Sequence, residues 1–408
     1  MRFYQINQDW ITHLVGNFRE EILETLRRLD LGRFQKYPPP KINGLPLGNE
    51  TRVLSRFLKG RSSQLDASAF SKLYRSRLSR EEKLLYSAFR QNDVLSRNVW
   101  AFIIGEDSIK RWIENKCLRE KNGGLECQFS VVGLDGLVFA VDPLKDHGIL
   151  GEPDFVTSKK PATNPGIAPF FHTYIGLDSL QMIEAVESRV PLSGGRYLDC
   201  GPGSGCILLY FARRFKEAIG IDINERAMKL ARFNADLNHF DNCNTYQGDA
   251  LDLGDRYGKF DLVTWNPPFI FMPEENQDDF IDGYGGGELG MGLCLKFIET
   301  LPDLLADGGF ACVSPLAPIL ESGENVLEAR LNELLCRLQM DCTLQVAQIS
   351  LAHTRELWHF HRSNGVRKFE SVYLYLTHGH GKLKRIDVGA TRKIVDAFRE
   401  KLYEHKFA

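Results

Sequence analysis

The apolar positions of this chain change rhythm about halfway along. Residues 8–30 place Trp10, Leu14, Phe18, Ile22 and Leu26 four apart, a spacing that predicts a helix with one buried face. Residues 79–100 and 108–117 predict short amphipathic helices, with Ser79-Arg80-Glu81-Glu82 as a capped start for the first. Residues 126–132 and 137–141 predict a hairpin across Gly133-Leu134-Asp135-Gly136. From residue 196 strands alternate with helices. The strands are expected at 196–199, 218–222, 244–247, 260–265, 309–314, 343–350 and 370–377. Helices are expected at 225–237, 290–305 and 324–338, with a last one at 391–403. That alternation predicts an α/β fold with a mostly parallel sheet covered on both faces. Segment 351–369 shows no helix of crossover length, so the last two strands are expected to close the sheet as an antiparallel pair.

Composition adds limits. A length of 408 residues favours two domains. With 43% hydrophobic and 25% charged residues and a mean hydropathy of -0.25, the chain has the make-up of a globular protein. No apolar run approaches the ~20 residues that span a bilayer, and the polar, aromatic N-terminus lacks a signal-peptide core. The nine cysteines are scattered, with no Cys-x-x-Cys and no zinc spacing, which fits buried thiols in a reducing cytoplasm. The net charge of -2 hides an asymmetry: residues 52–121 carry 16 basic against 8 acidic side chains, and residues 122–408 hold the acidic excess. A basic module suggests an anionic partner or a solvated helical surface.

The candidate chemistry starts at the end of the first core strand, Asp199-Cys200-Gly201-Pro202-Gly203-Ser204-Gly205. Glycines let the backbone approach a ligand, and the helix that follows presents free N–H groups. The spacing differs from the Gly-x-Gly-x-x-Gly of a dinucleotide fold, though a dinucleotide is not excluded by the loop alone. Asp222, with Ile223 beside it, ends the next strand about 20 residues on, where a carboxylate accepts ribose hydroxyls. Asp249 at the third strand end is placed to accept from an adenine amino group, with Ala250 offering its N–H.

At the end of the fourth strand stands Asn266-Pro267-Pro268-Phe269. An NH2 on a carbonyl or aromatic ring is planar, and two acceptors aimed at its hydrogens fix its direction. The Asn266 side-chain oxygen and the Pro267 carbonyl are the natural pair. Consecutive prolines restrict the backbone there, and Phe269 supplies a flat wall. The glycine-rich loop that begins at Tyr284 and ends at Gly292 is read as a mobile substrate loop. Two further segments are candidates for the acceptor pocket, Phe171-His172-Thr173-Tyr174-Ile175-Gly176 and the insert 351–369. In 351–369, His353, Trp358, His359, Phe360, His361 and Arg362 are read as surface residues for substrate contact; the segment holds no cysteine, and no metal is expected there.

Asp199 with Gly201, Gly203 and Gly205, then Asp222, Asp249 and Asn266-Pro267-Pro268-Phe269 in this order resemble the class I methyltransferases, over roughly residues 170–380. The corner motif resembles the amino-methylating branch, which includes release-factor glutamine methyltransferases and rRNA and DNA enzymes acting on guanine N2 or adenine N6. The resemblance implies a Rossmann-like sheet, S-adenosylmethionine as cofactor with S-adenosylhomocysteine as product, and packing of the glycine loop, Pro202 included, on the methionine part. Helices followed by a hairpin resemble a winged helix, so the chain is expected to divide into a helical, winged-helix-like recognition domain (1–150), a connector that covers the cofactor (151–195) and a catalytic domain (196–408).

Three functions are weighed. The first is N-methylation of a Gln or Asn side-chain amide in a protein or peptide, which the acidic catalytic half and pI near 6.6 favour over a duplex-gripping enzyme. The second is methylation of an exocyclic amine in RNA or DNA, supported by the basic stretch. The third is a catalytically silent binding module, against which the intact motif set argues. The reading expects a cytoplasmic protein with no membrane partner and no metal; nothing in the sequence fixes an oligomeric state.

Overall fold

The structure, a computed structural model, describes residues 10–14, 16–31, 41–42, 45–46, 78–143, 173, 175–189, 194–269, 271, 288–350 and 355–387. The expected helix at 391–403 and residues 52–77 of the basic run lie outside them. The chain divides into two compact units: Met1–Ile175 with Lys229–Asp241, and Gly176–Met228 with Asn242–Ala408.

The first unit is built from helices α1 (Gly16–Arg28), α2 (Arg80–Leu85), α3 (Arg97–Ile104) and α4 (Glu106–Glu114). Two hairpins follow, β1 (Leu118–Lys121) with β2 (Gly124–Cys127) and β3 (Ser130–Leu134) with β4 (Leu137–Val141). The capped start of α2 forms as expected. The Ser79 hydroxyl accepts from Glu82 N at 3.2 Å, and the Glu82 carboxylate accepts from Ser79 N at 2.7 Å. The sequence reading expected one hairpin starting at 126; the structure has two. Asn122-Gly123 turns back β1 with φ of +48° and +76°, the geometry that matches strand twist in a two-residue turn. Glu126 therefore belongs to the first hairpin. Phe89, Trp100, Trp112 and Phe129 form the aromatic centre, with Trp10 4.8 Å from Phe129.

Residues 229–241 complete this unit. Leu230, Phe233 and Leu237 enter its apolar core. Asn234 and Asn238, one helical turn apart, treat the free edge of β4 as a strand would. Asn234 accepts from Ala140 N at 2.8 Å and donates to Ala140 O at 3.0 Å. Asn238 does the same to Val138, at 2.8 and 2.6 Å.

The second unit is a nine-stranded sheet. Its strands are β5 (Gly194–Cys200), β6 (Phe215–Asp222), β7 (Cys243–Gln247), β8 (Phe260–Trp265), β9 (Leu305–Val313), β10 (Leu316–Leu320), β11 (Met340–Ser350), β12 (Val366–His378) and β13 (Leu383–Ile386). Helices α5 (Leu177–Glu187), α6 (Cys206–Ala212), α7 (Glu225–Leu237, of which the part from Lys229 belongs to the first unit), α8 (Gly292–Leu304), α9 (Val326–Leu338) and α10 (Arg355–Ser363) accompany them. The order is β13-β11-β12-β9-β8-β5-β6-β7, with β10 paired to β12. β7, β6, β5, β8 and β9 are parallel, and β12 runs antiparallel between β9 and β11, the closing pair the sequence predicts.

Helix α9 buries Leu327, Leu331, Leu334 and Leu335, and α8 buries Phe297, which lies 4.3 Å from Trp265. The structure differs from expectation in β10 and β13, both short, and in α10, which occupies part of 351–369. There Trp358 and His361 are buried, not surface residues: the amphipathic helix turns them inward. Among the described residues no helix is long and apolar enough to cross a membrane, and no cluster of His, Cys, Asp and Glu has a metal-binding arrangement.

Asn234 is fully buried, and its loss leaves two backbone groups of Ala140 unpaired. Asn234→Ala is expected to lower the stability of the first unit by about 1–3 kcal/mol, read as a reduced urea midpoint for that unit's transition.

Candidate functional site

Strand order reverses at β5: β6 and β7 lie on one side, β8 and β9 on the other. In parallel sheets the crevice above such a reversal is where ligands bind, because the two outgoing loops separate there. The pairings Thr264↔Asp199 and Trp265↔Cys200 put the glycine loop and the Asn266 corner side by side.

Asp199 is buried at the end of β5. Its Oδ1 accepts from the Thr264 hydroxyl at 2.7 Å, and that hydroxyl in turn lies 2.6 Å from the Tyr197 hydroxyl. Its Oδ2 is buried without a hydrogen-bond partner. Burial pushes its pKa up to about 7; the Thr264 donor opposes this and the nearby Asp222 charge adds to it. Gly201, Gly203 and Gly205 have φ of +64°, +55° and +81°, and a Cβ on Gly203 would meet nothing within 4 Å. Conformation, not crowding, is what calls for glycine there.

Asp222, at the end of β6, accepts from Asn224 N at 2.9 Å and from Gly203 N at 3.4 Å. Burial raises its pKa to about 6, with these two N–H donors pulling the other way. Gly248 N donates to Asp222 O at 2.9 Å, and Gln247 Nε2 to Ile223 O at 3.0 Å, which ties the ends of β6 and β7. Asp249 is half-buried and accepts from Leu251 N at 2.9 Å, closing a turn that leaves Ala250 half-buried at its centre. Pro202 is buried against β6: a Cβ on Gly220 would lie 3.1 Å from its Cγ. Asp222 is thus joined to the glycine loop by a direct hydrogen bond, and Asp199 is held from β8 beside it.

The corner after β8 is held at three points. Asn266 Nδ2 donates to Asp178 Oδ2 at 2.6 Å, while Asn266 Oδ1 is buried and unpartnered. A Cβ on Gly290 would sit 3.1 Å from Phe269 O and 3.2 Å from Phe271 Cβ, so the chain after the motif rests directly on this glycine. His361 Nε2 donates to Phe271 O at 2.8 Å, and its ring stacks on Phe271. Pro267 is buried; Pro268 and Phe269 are half-buried.

Asp178 and Thr264 carry no local motif, so the sequence does not mark them as site residues; His361, expected as a surface residue for substrate contact, is buried and braces the chain after the corner. Tyr174 and Tyr284 lie outside the described residues.

The chain matches a methyltransferase domain over residues 191–358. A protein of Methanocaldococcus jannaschii described as a putative protein N5-glutamine methyltransferase is 30% identical over 187 residues, which cover 44% of this chain and 90% of that protein. A release factor glutamine methyltransferase of Fusobacterium nucleatum subsp. nucleatum is 34% identical over 129 residues, 31% of this chain and 35% of its own length. A ribosomal protein uL3 glutamine methyltransferase of Xanthomonas campestris pv. campestris is 30% identical over 131 residues, 29% of this chain and 42% of its own length. The match thus takes in most of the archaeal relative but less than half of these two bacterial ones. Among solved structures, a ribosomal protein L11 methylase from Lactobacillus delbrueckii subsp. bulgaricus covers 50% of this chain and 81% of its own at 17% identity; its TM-score of 0.32 is too low to bear on the fold.

Sheet order, loops and sequence agree on the class: this is a class I S-adenosylmethionine-dependent methyltransferase. The chain belongs, more narrowly, to the family of its Methanocaldococcus relative.

The two raised carboxyls bind more protons in the folded chain than at their ordinary value of 3.8. Their contribution therefore favours folding below about pH 4 and is lost as pH rises through about 6 to 7. Without cofactor, Tm is expected to fall between about pH 5 and pH 7.5, and less steeply for Asp199→Asn, as followed by scanning calorimetry.

Proposed function

We propose that this chain methylates the side-chain amide nitrogen of glutamine, or of asparagine, in a protein or peptide, with S-adenosylmethionine as donor. The observation that carries the reading is the buried, unpartnered Asn266 Oδ1 at the end of a parallel strand beside the glycine loop. An acceptor oxygen of this kind suits an incoming N–H donor, since a buried carbonyl without one is unfavourable. The names of the relatives support a protein amide over a nucleic-acid base.

The residues also fit the cofactor. Gly203 leaves open space where a side chain would stand, and Asp199 Oδ2 is a buried acceptor lacking a donor. Asp222 would receive the ribose hydroxyls, with Ile223 beside it. Asp249 and the Ala250 N–H would meet the adenine edge, and Gly201, Pro202, Gly203 and Gly205 would line the methionine part. When bound, S-adenosylmethionine supplies an electrophilic methyl on a cationic sulfur and leaves as S-adenosylhomocysteine.

Asn266 Oδ1 and the Pro267 carbonyl accept from the two hydrogens of the acceptor NH2, which turns its lone pair toward the methyl position. Pro267 and Pro268 keep that carbonyl from wandering, and Phe269 stacks on the planar group. No strong base is required: the nitrogen becomes acidic as it is alkylated, and its proton passes to solvent. An exocyclic base amine has the same NH2 geometry, so the acceptor is decided by transfer of radiolabelled methyl into a fractionated cell extract. Label in protein or peptide supports the reading; label confined to RNA or DNA overturns it.

Asn266→Ala is expected to bind S-adenosylhomocysteine as the wild type does, by calorimetry, while methyl transfer falls by about two orders of magnitude or more. Unchanged turnover would remove Asn266 from the chemistry.

A further inference from the structure

We propose that Asp178 is a positioning residue: it fixes which end of the Asn266 amide faces the acceptor. This rests on the reading above that Asn266 receives an NH2. An ionised carboxylate only accepts hydrogen bonds, so at 2.6 Å the group opposite Asp178 Oδ2 is the Asn266 NH2. The amide oxygen is thereby directed to the other side, where it is buried and unpartnered. The reverse orientation would set Oδ1 against the carboxylate and turn an NH2 toward the donors of the substrate. Both contacts are repulsive, so one carboxylate selects one orientation.

Its placement suits that task. Asp178 sits in the first turn of the eleven-residue helix α5, whose N-terminus favours a negative charge. The helix is itself fixed to the sheet: Tyr375 donates to Ala185 O at 3.1 Å, and Met182 and Val186 are fully buried. The orienting charge thus comes from a regular element and not from the loop it orients. The pair is separated by 88 residues, so neither member signals the other in the sequence.

A reciprocal exchange tests the idea. Asp178→Asn offers an oxygen and an NH2 to Asn266, so either orientation is accommodated; kcat is expected to fall about tenfold or more. Asn266→Asp sets two carboxylates against each other and is expected to lose about a hundredfold. In the double variant, which carries both substitutions, the amide introduced on α5 donates to one oxygen of the new carboxylate at the corner. The other oxygen then faces the acceptor. Its kcat is expected to exceed both single variants and to come within about tenfold of the wild type.

The assay is tritiated methyl transfer to a mixture of glutamine-containing peptides, with S-adenosylhomocysteine binding measured on every variant as the control for folding. Losses that simply multiply in the double variant would overturn the proposal, because a merely structural aspartate predicts no recovery. A wild type that labels nucleic-acid amines and not peptides would overturn the substrate reading, and the exchange is then scored on that acceptor. Nuclear magnetic resonance decides without any acceptor. With S-adenosylhomocysteine bound, the Asn266 side-chain NH2 protons are expected to exchange slowly in the wild type and at least tenfold faster in Asp178→Ala. Rapid exchange in the wild type would also sink the idea.

Discussion

The parallel pairing of β8 with β5 sets everything that matters in the second unit. Through Thr264↔Asp199 and Trp265↔Cys200, two loops far apart in the chain leave the sheet as neighbours. Strands joined this way tolerate no slip, because a shift of one residue would turn every side chain to the opposite face. Leu198, Val263 and Ala311 are adjacent on paired strands in one apolar core, so burial enforces the register. The Thr264 hydroxyl on Asp199 adds a polar check on the same register, inside the sheet, where a misplaced donor would be unfavourable.

Around that frame the polar groups fall into two kinds. Most are satisfied, such as Asp222, with N–H donors on both carboxylate oxygens. Two are not: Asp199 Oδ2 and Asn266 Oδ1 are buried without partners on adjacent strand ends. Native proteins leave few such atoms, and a pair of them at a strand-order reversal is what a ligand-binding crevice looks like from the protein's side. The surrounding structure keeps both in place: Thr264 holds the other oxygen of Asp199, and Asp178 holds the other end of the Asn266 amide.

Much of the fold is legible in the sequence because its signals are local. The strand 260–265 and the helix 225–237 come out at their observed bounds, since their apolar runs are short, dense and flanked by turn residues. The antiparallel closing pair is also legible, from the lack of a crossover helix. The first hairpin is not, although Asn122-Gly123 signals it, because a continuous apolar stretch around Cys127 and Phe129 masks the break. Helix α10 escapes because its apolar face is narrow, and β10 and β13 because five and four residues are too few for a period to register. The glycine loop and the Asn-Pro-Pro-Phe corner announce themselves as motifs. Asp178, Thr264 and His361 do not, because each acts on a partner that only folding brings near.

The asparagine ladder on β4 has a consequence for how the chain is made. Val138 and Ala140 meet their amide partners 100 and 94 residues later. At ribosomal speeds of about 5–20 residues per second, that edge stays uncovered for roughly 5–20 s in each newly synthesised copy. A bare strand edge is a template for pairing between chains. For that interval the nascent hairpin is the place where neighbouring copies on a polysome would mispair, and where a chaperone would have most to do.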